Sequence, residues 1–242
     1  MRDYDHEGKN LENKKYNYEF DNIVRSYMMK IFHPFFSDGP ALEVGCYHGD
    51  STIELEKFFE NLTVIERSTD AIVNTKKRVR QNVQFHNDTL ETFSGRNKFD
   101  SIFIINTLEH VDDAIDLMKQ AKRLLSENGR LYMLVPNAHA PSRQIATYMG
   151  LIETNNSVTN AEYTHGHRRT YSYDTFANDL SQADVNIQQM GGILFKGLAN
   201  YQMDLALEKG IISMEYIDAC YKLGMVYPQL CSSIYCIGTH QS

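Results

Sequence analysis

Residues 41–52, ALEVGCYHGDST, constrain the fold of this chain more than any other segment. The apolar run 41–44 is typical of a buried strand, and the residues after Gly49 are typical of a helix, so the glycines occupy the turn between them. A strand, a glycine turn and a helix in this order favour an α/β fold. Glu43 lies two positions before Gly45. Because a carboxylate would repel a pyrophosphate bound at this turn, Glu43 favours a ligand with a positively charged end.

Strand-like and helix-like segments alternate along most of the chain. The segments 62–66, 83–86, 99–105 and 129–135 are predicted strands, and 51–59, 69–79 and 114–125 are predicted helices. Short connections between such segments predict a mostly parallel sheet with helices on both faces. A further helix near 173–183 and strands near 187–191 and 232–238 complete the predicted elements.

The length of 242 residues and the hydrophobic share of 42% predict one domain over residues 1–242. Residues 1–36 form an N-terminal segment with an amphipathic helical pattern. Residues 141–171 are polar and lack a clear period, which predicts a lid or insertion. Residues 198–226 have a helical period and predict a second, helical insertion before the last strand.

Composition excludes several classes of protein. The net charge of −7 disfavours a protein that grips nucleic-acid phosphates. Cys46, Cys220, Cys231 and Cys236 form no CxxC pair, so we expect reduced thiols and no metal. We expect a cytoplasmic protein without membrane or nucleic-acid partners, because neither a signal-peptide pattern nor a long apolar run is present. The sequence is compatible with a homodimer.

Two further acidic residues follow predicted strands. Glu66 ends the second strand, one strand-helix-strand unit after Glu43, where a carboxylate can accept hydrogen bonds from both ribose hydroxyls of a nucleoside. Asp88 follows the third strand, at the same edge of the predicted sheet. The alternative for Glu66 is an ordinary surface acid, and the alternative for Asp88 is an ordinary turn residue.

In their order, residues 43–49, Glu66, Asp88 and the run 106–111, NTLEHV, resemble motifs of the class I S-adenosylmethionine-dependent methyltransferases. Tyr47 stands where the family usually has its middle glycine, and this departs from the usual loop. The resemblance implies a Rossmann-like methyltransferase fold with a mostly parallel seven-stranded sheet, and S-adenosyl-L-methionine as the cofactor. It also implies a set of cofactor-binding residues: Glu43, Gly45, Cys46, Tyr47, Gly49, Glu66, Arg67, Asp88, Thr89, Leu90 and Asn106.

Histidines and arginines after the fifth strand are the candidates for the acceptor side. The predicted general bases are His139, His165 and His167, and the predicted substrate-binding residues are Arg168, Arg169 and Tyr171. The run 164–173 resembles a stretch that relatives place beside the acceptor, and its arginine pair suits an anionic acceptor. Solvent exposure is the alternative for the arginines. A metal site at His165 and His167 is disfavoured because the sequence offers no third ligand nearby.

The sequence therefore predicts methyl transfer to a small-molecule acceptor, at a hydroxyl oxygen. An NAD-dependent oxidoreductase of Rossmann type is one alternative, against which stand Glu43 and the absence of a Tyr-x-x-x-Lys pair from the sequence. A non-catalytic protein that binds the cofactor is the other alternative, because Tyr47 departs from the family's loop.

Overall fold

The computed structural model describes residues 18–95 and 98–240, so the N-terminal part of the predicted segment 1–36 lies outside the described residues. Seven strands form one sheet in the order β3-β2-β1-β4-β5-β7-β6. Strands β1 to β5 are parallel, and β7 runs antiparallel to both β5 and β6. The strands are β1 (Ala41–Val44), β2 (Leu62–Glu66), β3 (Gln84–Asn87), β4 (Phe99–Ile105), β5 (Leu125–Pro136), β6 (Asn186–Ile193) and β7 (Ser233–Thr239).

Helices connect and cover the strands, as short crossovers between parallel strands require. The helices are α1 (Glu19–Phe32), α2 (Asp50–Leu55), α3 (Thr69–Lys76), α4 (Ala114–Leu124), α5 (Pro141–Tyr148), α6 (Asn160–Thr164), α7 (Tyr173–Gln182), α8 (Asn200–Glu208) and α9 (Met214–Val226). Single 3₁₀ turns follow α1 and α9. Among the described residues no helix is both long and apolar enough to cross a bilayer.

Aromatic side chains attach the N-terminal segment to the sheet. The rings of Phe103 and Tyr132 stack with centroids 4.7 Å apart, and Phe36 packs edge-on against both of them. The Tyr132 hydroxyl donates a hydrogen bond to the Phe35 carbonyl oxygen at 2.6 Å. The aromatic pairs add to the free energy gained by burying these large side chains.

The predicted fold class, a seven-stranded and mostly parallel α/β sheet, is confirmed. The predicted beginning of the fifth strand at Gly129 is wrong, since β5 begins at Leu125, which pairs with Phe99. The register then shifts, and Ser101 pairs with Arg130. A Cβ atom on Gly129 would lie 2.8 Å from the Phe99 carbonyl oxygen, so this irregular pairing brings two backbones close together at a glycine.

The two predicted insertions contain helices. The range 141–171 holds α5 and α6, and 198–226 holds α8 and α9. Arg143 on α5 donates hydrogen bonds to the Asn155 carbonyl oxygen at 2.6 Å and to the Glu162 carboxylate at 2.5 Å. Arg143 therefore links α5, the loop after it and α6 into one folded unit.

Candidate functional site at the carboxyl ends of the strands

The turn after β1 contains three residues in left-handed backbone conformations. The φ angles are +80° at Gly45, +48° at Tyr47 and +80° at Gly49. A Cβ atom on Gly45 would lie 3.0 Å from Thr107 Oγ1. Glycine adopts the left-handed conformation at positions 45 and 49 without steric cost. At position 45 the absence of a Cβ atom also lets the backbone pass close to the loop after β4.

Tyr47 adopts a left-handed conformation that costs an L residue about 1–2 kcal/mol. Its side chain is 50% exposed. Its carbonyl oxygen accepts a hydrogen bond from Thr75 Oγ1 at 3.3 Å, and its N–H donates to Glu66. The backbone of Tyr47 thus supplies the turn, and the side chain remains available at the surface of the loop.

Glu66, at the end of β2, holds the glycine loop through its carboxylate. Oε2 accepts hydrogen bonds from the N–H groups of Cys46 at 3.0 Å and Tyr47 at 3.2 Å. Oε1 accepts a hydrogen bond from the Ser68 N–H at 2.7 Å. A carboxylate has about four acceptor positions, so one remains for a further donor.

Glu43 lies fully buried in β1, directly before the turn. Thr52 Oγ1 donates a hydrogen bond to Oε2 at 2.6 Å, whereas Oε1 is buried and has no hydrogen-bond partner among the described residues. Burial, together with a smaller effect of the negative charge of Glu66, raises the pKa of this carboxyl to about 8. A buried carboxyl oxygen without a partner suits a cationic or hydrogen-bond-donating ligand group.

The remaining predicted cofactor residues follow the neighbouring strands. Asp88 Oδ1 accepts hydrogen bonds from the Thr89 N–H at 2.8 Å and from Thr92 Oγ1. Leu90 is buried, and Arg67 is exposed. Asn106, with a φ of +48°, follows β4.

Strands β3, β2, β1 and β4 are adjacent in the sheet, so these residues share one edge with the glycine loop. The carboxyl ends of strands are the usual position for ligands in open α/β sheets.

Replacing Gly49 by alanine is expected to lower the free energy of unfolding by about 1–3 kcal/mol. The residue has a φ of +80°, and a Cβ atom would lie 2.4 Å from the buried Thr75 Cγ2. Gly150→Ala is the matched control, because Gly150 has a φ of +72° and nothing within 4 Å of its Cβ position. Urea denaturation of both variants measures the difference. Equal losses would contradict the predicted clash with Thr75.

His139 lies just after β5, on the acceptor side. Its N–H donates a hydrogen bond to Asn137 Oδ1 at 2.9 Å, and its carbonyl oxygen accepts one from Gln144 Nε2 at 2.7 Å. Asn137 is buried, and its amide group donates to the Gln229 and Cys231 carbonyl oxygens. The backbone of His139 is therefore fixed on both sides, and its partly buried ring shows no hydrogen bond among the described residues.

His165 and His167 lie at the end of α6 and in the loop after it. Burial lowers the pKa of both imidazoles. The His167 ring packs edge-on against the His110 ring, with centroids 4.5 Å apart. The nearby Glu109 is buried, and burial raises the pKa of its carboxyl to about 8. The sequence predicts no binding or catalytic role for Glu109, and its position in the LEHV run is the signal that draws attention to it.

Arg168 and Arg169 attach the loop after α6 to the loop after β4. The Arg168 N–H donates to the Glu109 carbonyl oxygen at 2.7 Å, and its guanidinium lies 3.7 Å from Asp112 Oδ1. Arg169 Nη2 donates to the carbonyl oxygens of Val111 at 2.8 Å and Asp112 at 2.6 Å. These contacts give both residues a structural task, and their binding of an acceptor stays a prediction.

Tyr171 is almost fully buried in the core on one face of the sheet. Its hydroxyl donates a hydrogen bond to Asp179 Oδ2 at 3.1 Å, and its ring packs edge-on against Phe176. The backbone of Tyr171 bridges to Asn137 at the end of β5. The contacts favour a structural role, and a direct contact with an acceptor stays a prediction.

The buried Glu43 Oε1 and the crowded glycine turn fit a ligand that places a positive group near β1 and passes close to the backbone at Gly45. Glu66 keeps one acceptor position for a hydroxyl donor. The donor and acceptor groups of this edge therefore match those of the cofactor that the resemblance implies.

Residues 16–190 match the family model described as a methyltransferase domain. The chain is 26% identical over 172 residues to a ubiquinone biosynthesis O-methyltransferase of Actinobacillus pleuropneumoniae serotype 5b, covering 64% of this chain and 69% of that protein. It is 31% identical over 125 residues to nodulation protein S of Sinorhizobium fredii, covering 50% of this chain and 54% of that protein.

Among the solved structures that resemble this chain, two cover nearly all of it. An S-adenosylmethionine-dependent methyltransferase of Thermotoga maritima, described as a possible histamine N-methyltransferase, has a TM-score of 0.66 and 15% identity, with 98% of this chain and 99% of that chain covered. The N-methyltransferase NodS of Bradyrhizobium japonicum WM9, solved with S-adenosyl-L-homocysteine, has a TM-score of 0.63 and 13% identity, with 98% and 100% covered. At these identities the likeness shows the fold alone.

Proposed function

Because this chain belongs to the methyltransferase-domain family, we propose that it transfers a methyl group from S-adenosylmethionine to a hydroxyl oxygen of a small-molecule acceptor. The class of enzyme and the cofactor follow from the family, and the acceptor oxygen is our proposal. The observation that supports an oxygen acceptor is the position and environment of His139. Its backbone is fixed at the carboxyl end of β5, and its ring has no hydrogen-bond partner among the described residues.

When bound, the cofactor supplies an electrophilic methyl group on a sulfonium, with a neutral thioether as the leaving group. The chain's contribution is to hold the two reactants in line, and such positioning is worth effective molarities of about 10⁵–10⁸ M. Glu43 and the glycine turn bind at the positive end of the cofactor, and Glu66 binds a hydroxyl donor. These residues do not remove a proton from the acceptor.

A hydroxyl acceptor needs a base, because neutral oxygen is a poor nucleophile until its proton begins to leave. His139 is the best positioned of the three predicted histidines. His167 packs on His110 and lies beside Glu109, so its ring already has neighbours. His165 lies within the 141–171 insertion, whereas His139 follows the strand beside β4. We therefore assign the general base to His139.

Transfer to an amine nitrogen is the second candidate, favoured by the 31% identity to nodulation protein S and the likeness to the N-methyltransferase NodS. A neutral amine attacks the methyl group through its lone pair, and the methylated ammonium then releases its proton, so the same pocket would serve an amine without prior removal of a proton. The name of the other relative, ubiquinone biosynthesis O-methyltransferase, supports oxygen.

Two measurements test the proposal. Calorimetry should detect binding of S-adenosylmethionine and S-adenosylhomocysteine and no binding of NAD. A methyl-transfer screen should then compare phenols, catechols and sugar alcohols with amines of matched size. Turnover with a hydroxyl compound supports the proposal, turnover with amines alone favours the second candidate, and NAD binding without S-adenosylmethionine binding would contradict both.

Cofactor binding at pH 7 is expected to release a proton from Glu43. Burial raises the pKa of this carboxyl from 4.5 to about 8, so the folded protein without ligand holds the carboxyl protonated at pH values between 4.5 and 8. A cationic ligand stabilises the carboxylate instead, so binding releases the proton. The buffer takes up the released proton. Calorimetry in phosphate and Tris buffers should therefore give binding enthalpies that differ because the ionisation enthalpies of the two buffers differ.

The Glu43→Gln variant should remove this buffer dependence, whereas Glu109→Gln, which changes another buried carboxyl, should keep it. The raised pKa also means that the stability of the wild type falls as pH rises from 4.5 through 8, since the folded state holds the proton more tightly. Glu43→Gln should lose less stability over this range. Equal binding enthalpies for the wild type in both buffers would rule out the proton release.

A further inference from the structure

Three side chains with metal-ligating atoms meet where the loop after β4 faces the loop after α6. Glu109, His110 and His167 each offer one such atom, and these atoms all lie within 4.8 Å of one another. We propose that this cluster binds one divalent transition-metal ion of the zinc type. Two imidazoles and one carboxylate are an established ligand set for Zn²⁺, with a fourth position open to water.

The Glu109 carboxyl has a buried oxygen without a partner, and a bound cation would pair with it. The residue is 2% exposed, and its Oε2 atom is buried without a hydrogen-bond partner among the described residues. Buried carboxylate oxygens are normally hydrogen-bonded, paired with a charge or coordinated to a metal. This unpartnered oxygen is the second observation, besides the clustering, that points to a ligand.

Backbone hydrogen bonds bring the two loops together without an ion. The Arg168 N–H donates to the Glu109 carbonyl oxygen at 2.7 Å, directly beside His167. The His110 N–H donates to the Thr107 carbonyl oxygen at 3.0 Å, which forms the turn after β4. Metal sites require ligands that the surrounding structure holds in position, and these bonds provide such support.

The charges around the cluster permit a cation. Arg143 lines the cavity beside Glu109 and His167, and its guanidinium pairs with both carboxylate oxygens of Glu162, at 2.5 and 3.2 Å. Arg169 also lines this cavity, and its guanidinium donates to the backbone carbonyl oxygens of Val111 and Asp112. Because Glu162 neutralises Arg143, the carboxylate of Glu109 remains to balance the charge of the ion.

A cavity of about 20 Å³ borders the cluster, and Glu109 and His167 are among its lining residues. This volume holds about one water molecule. The cavity therefore offers space for a water as the fourth ligand. The ligand set also selects the metal, because imidazole suits zinc and its neighbours, whereas Mg²⁺ and Ca²⁺ prefer oxygen ligands.

Metal binding by the full chain tests the proposal independently of any acceptor. The protein is dialysed against a chelator, and Zn²⁺ or Mg²⁺ is then titrated by calorimetry, with metal content measured by mass spectrometry. We expect one tightly bound zinc ion per chain, a higher melting temperature with zinc, and no comparable effect of Mg²⁺.

His167→Ala and Glu109→Gln should each weaken zinc binding by at least about 100-fold, since removal of a ligand costs more than loss of an outer partner. His165→Ala is the matched control, because it removes an imidazole two residues from His167 and should keep the bound ion. Circular dichroism checks that each variant folds, and His110→Ala replaces any variant that does not. The proposal is overturned if the wild type takes up no zinc, or if folded variants of these ligands bind zinc as tightly as the wild type.

Discussion

Replacing His139 by alanine is expected to lower turnover by about 10²-fold or more while the affinity for S-adenosylmethionine stays unchanged. The reason is that alanine removes the base and leaves the glycine loop and Glu66 intact. The backbone at residue 139 is held through its own N–H and carbonyl groups, which alanine retains. Steady-state kinetics with an acceptor found in the screen measures the loss, and calorimetry measures the affinity.

A pH profile separates a base from a structural histidine. If His139 is the base, the activity of the wild type should have an acidic limb in its pH profile, and the variant should lack this limb. His86→Ala is the control, because His86 lies exposed on β3 and should keep both turnover and profile. An unchanged profile in His139→Ala would transfer the role to another group or favour an amine acceptor.

The order of strands and helices could be predicted because each parallel strand is a short apolar run between turn residues. Within β5 the prediction missed the first residues, 125–128, because Ser126, Glu127 and Asn128 are polar and read as a loop. They nevertheless continue the strand, since Leu125 pairs with Phe99 across an irregular register. Pairing with a neighbouring strand outweighed the local pattern there.

For the acceptor side of the site, the sequence predicted which residue types are present but not which of them contact one another. The arginines at 168 and 169 suggested an anionic acceptor, but their contacts with the loop after β4 depend on how two distant segments fold together. The same fold brings His167 to His110 and Glu109, although the sequence offered no third ligand near His165 and His167. A motif shows which groups are available, and the tertiary contacts decide which of them meet.

Glu66→Ala is expected to weaken S-adenosylmethionine binding by about 5- to 150-fold, which corresponds to about 1–3 kcal/mol for charge-assisted hydrogen bonds. The structure gives this carboxylate two tasks. It accepts hydrogen bonds from the N–H groups of Cys46, Tyr47 and Ser68, and it keeps one acceptor position for the ligand. Alanine removes both the ligand contact and the support of the loop.

Glu66→Gln separates the two tasks, because the amide oxygen still accepts hydrogen bonds while its NH₂ group can only donate. Its affinity should therefore lie between those of the wild type and Glu66→Ala. Tyr47→Gly serves as the loop control, since it keeps the backbone N–H and relieves a left-handed conformation, so it should bind the cofactor. Calorimetry with S-adenosylhomocysteine measures all four proteins. Wild-type affinity in Glu66→Ala would remove Glu66 from the cofactor site, whereas loss of binding in Tyr47→Gly would show that the ligand depends on the tyrosine ring.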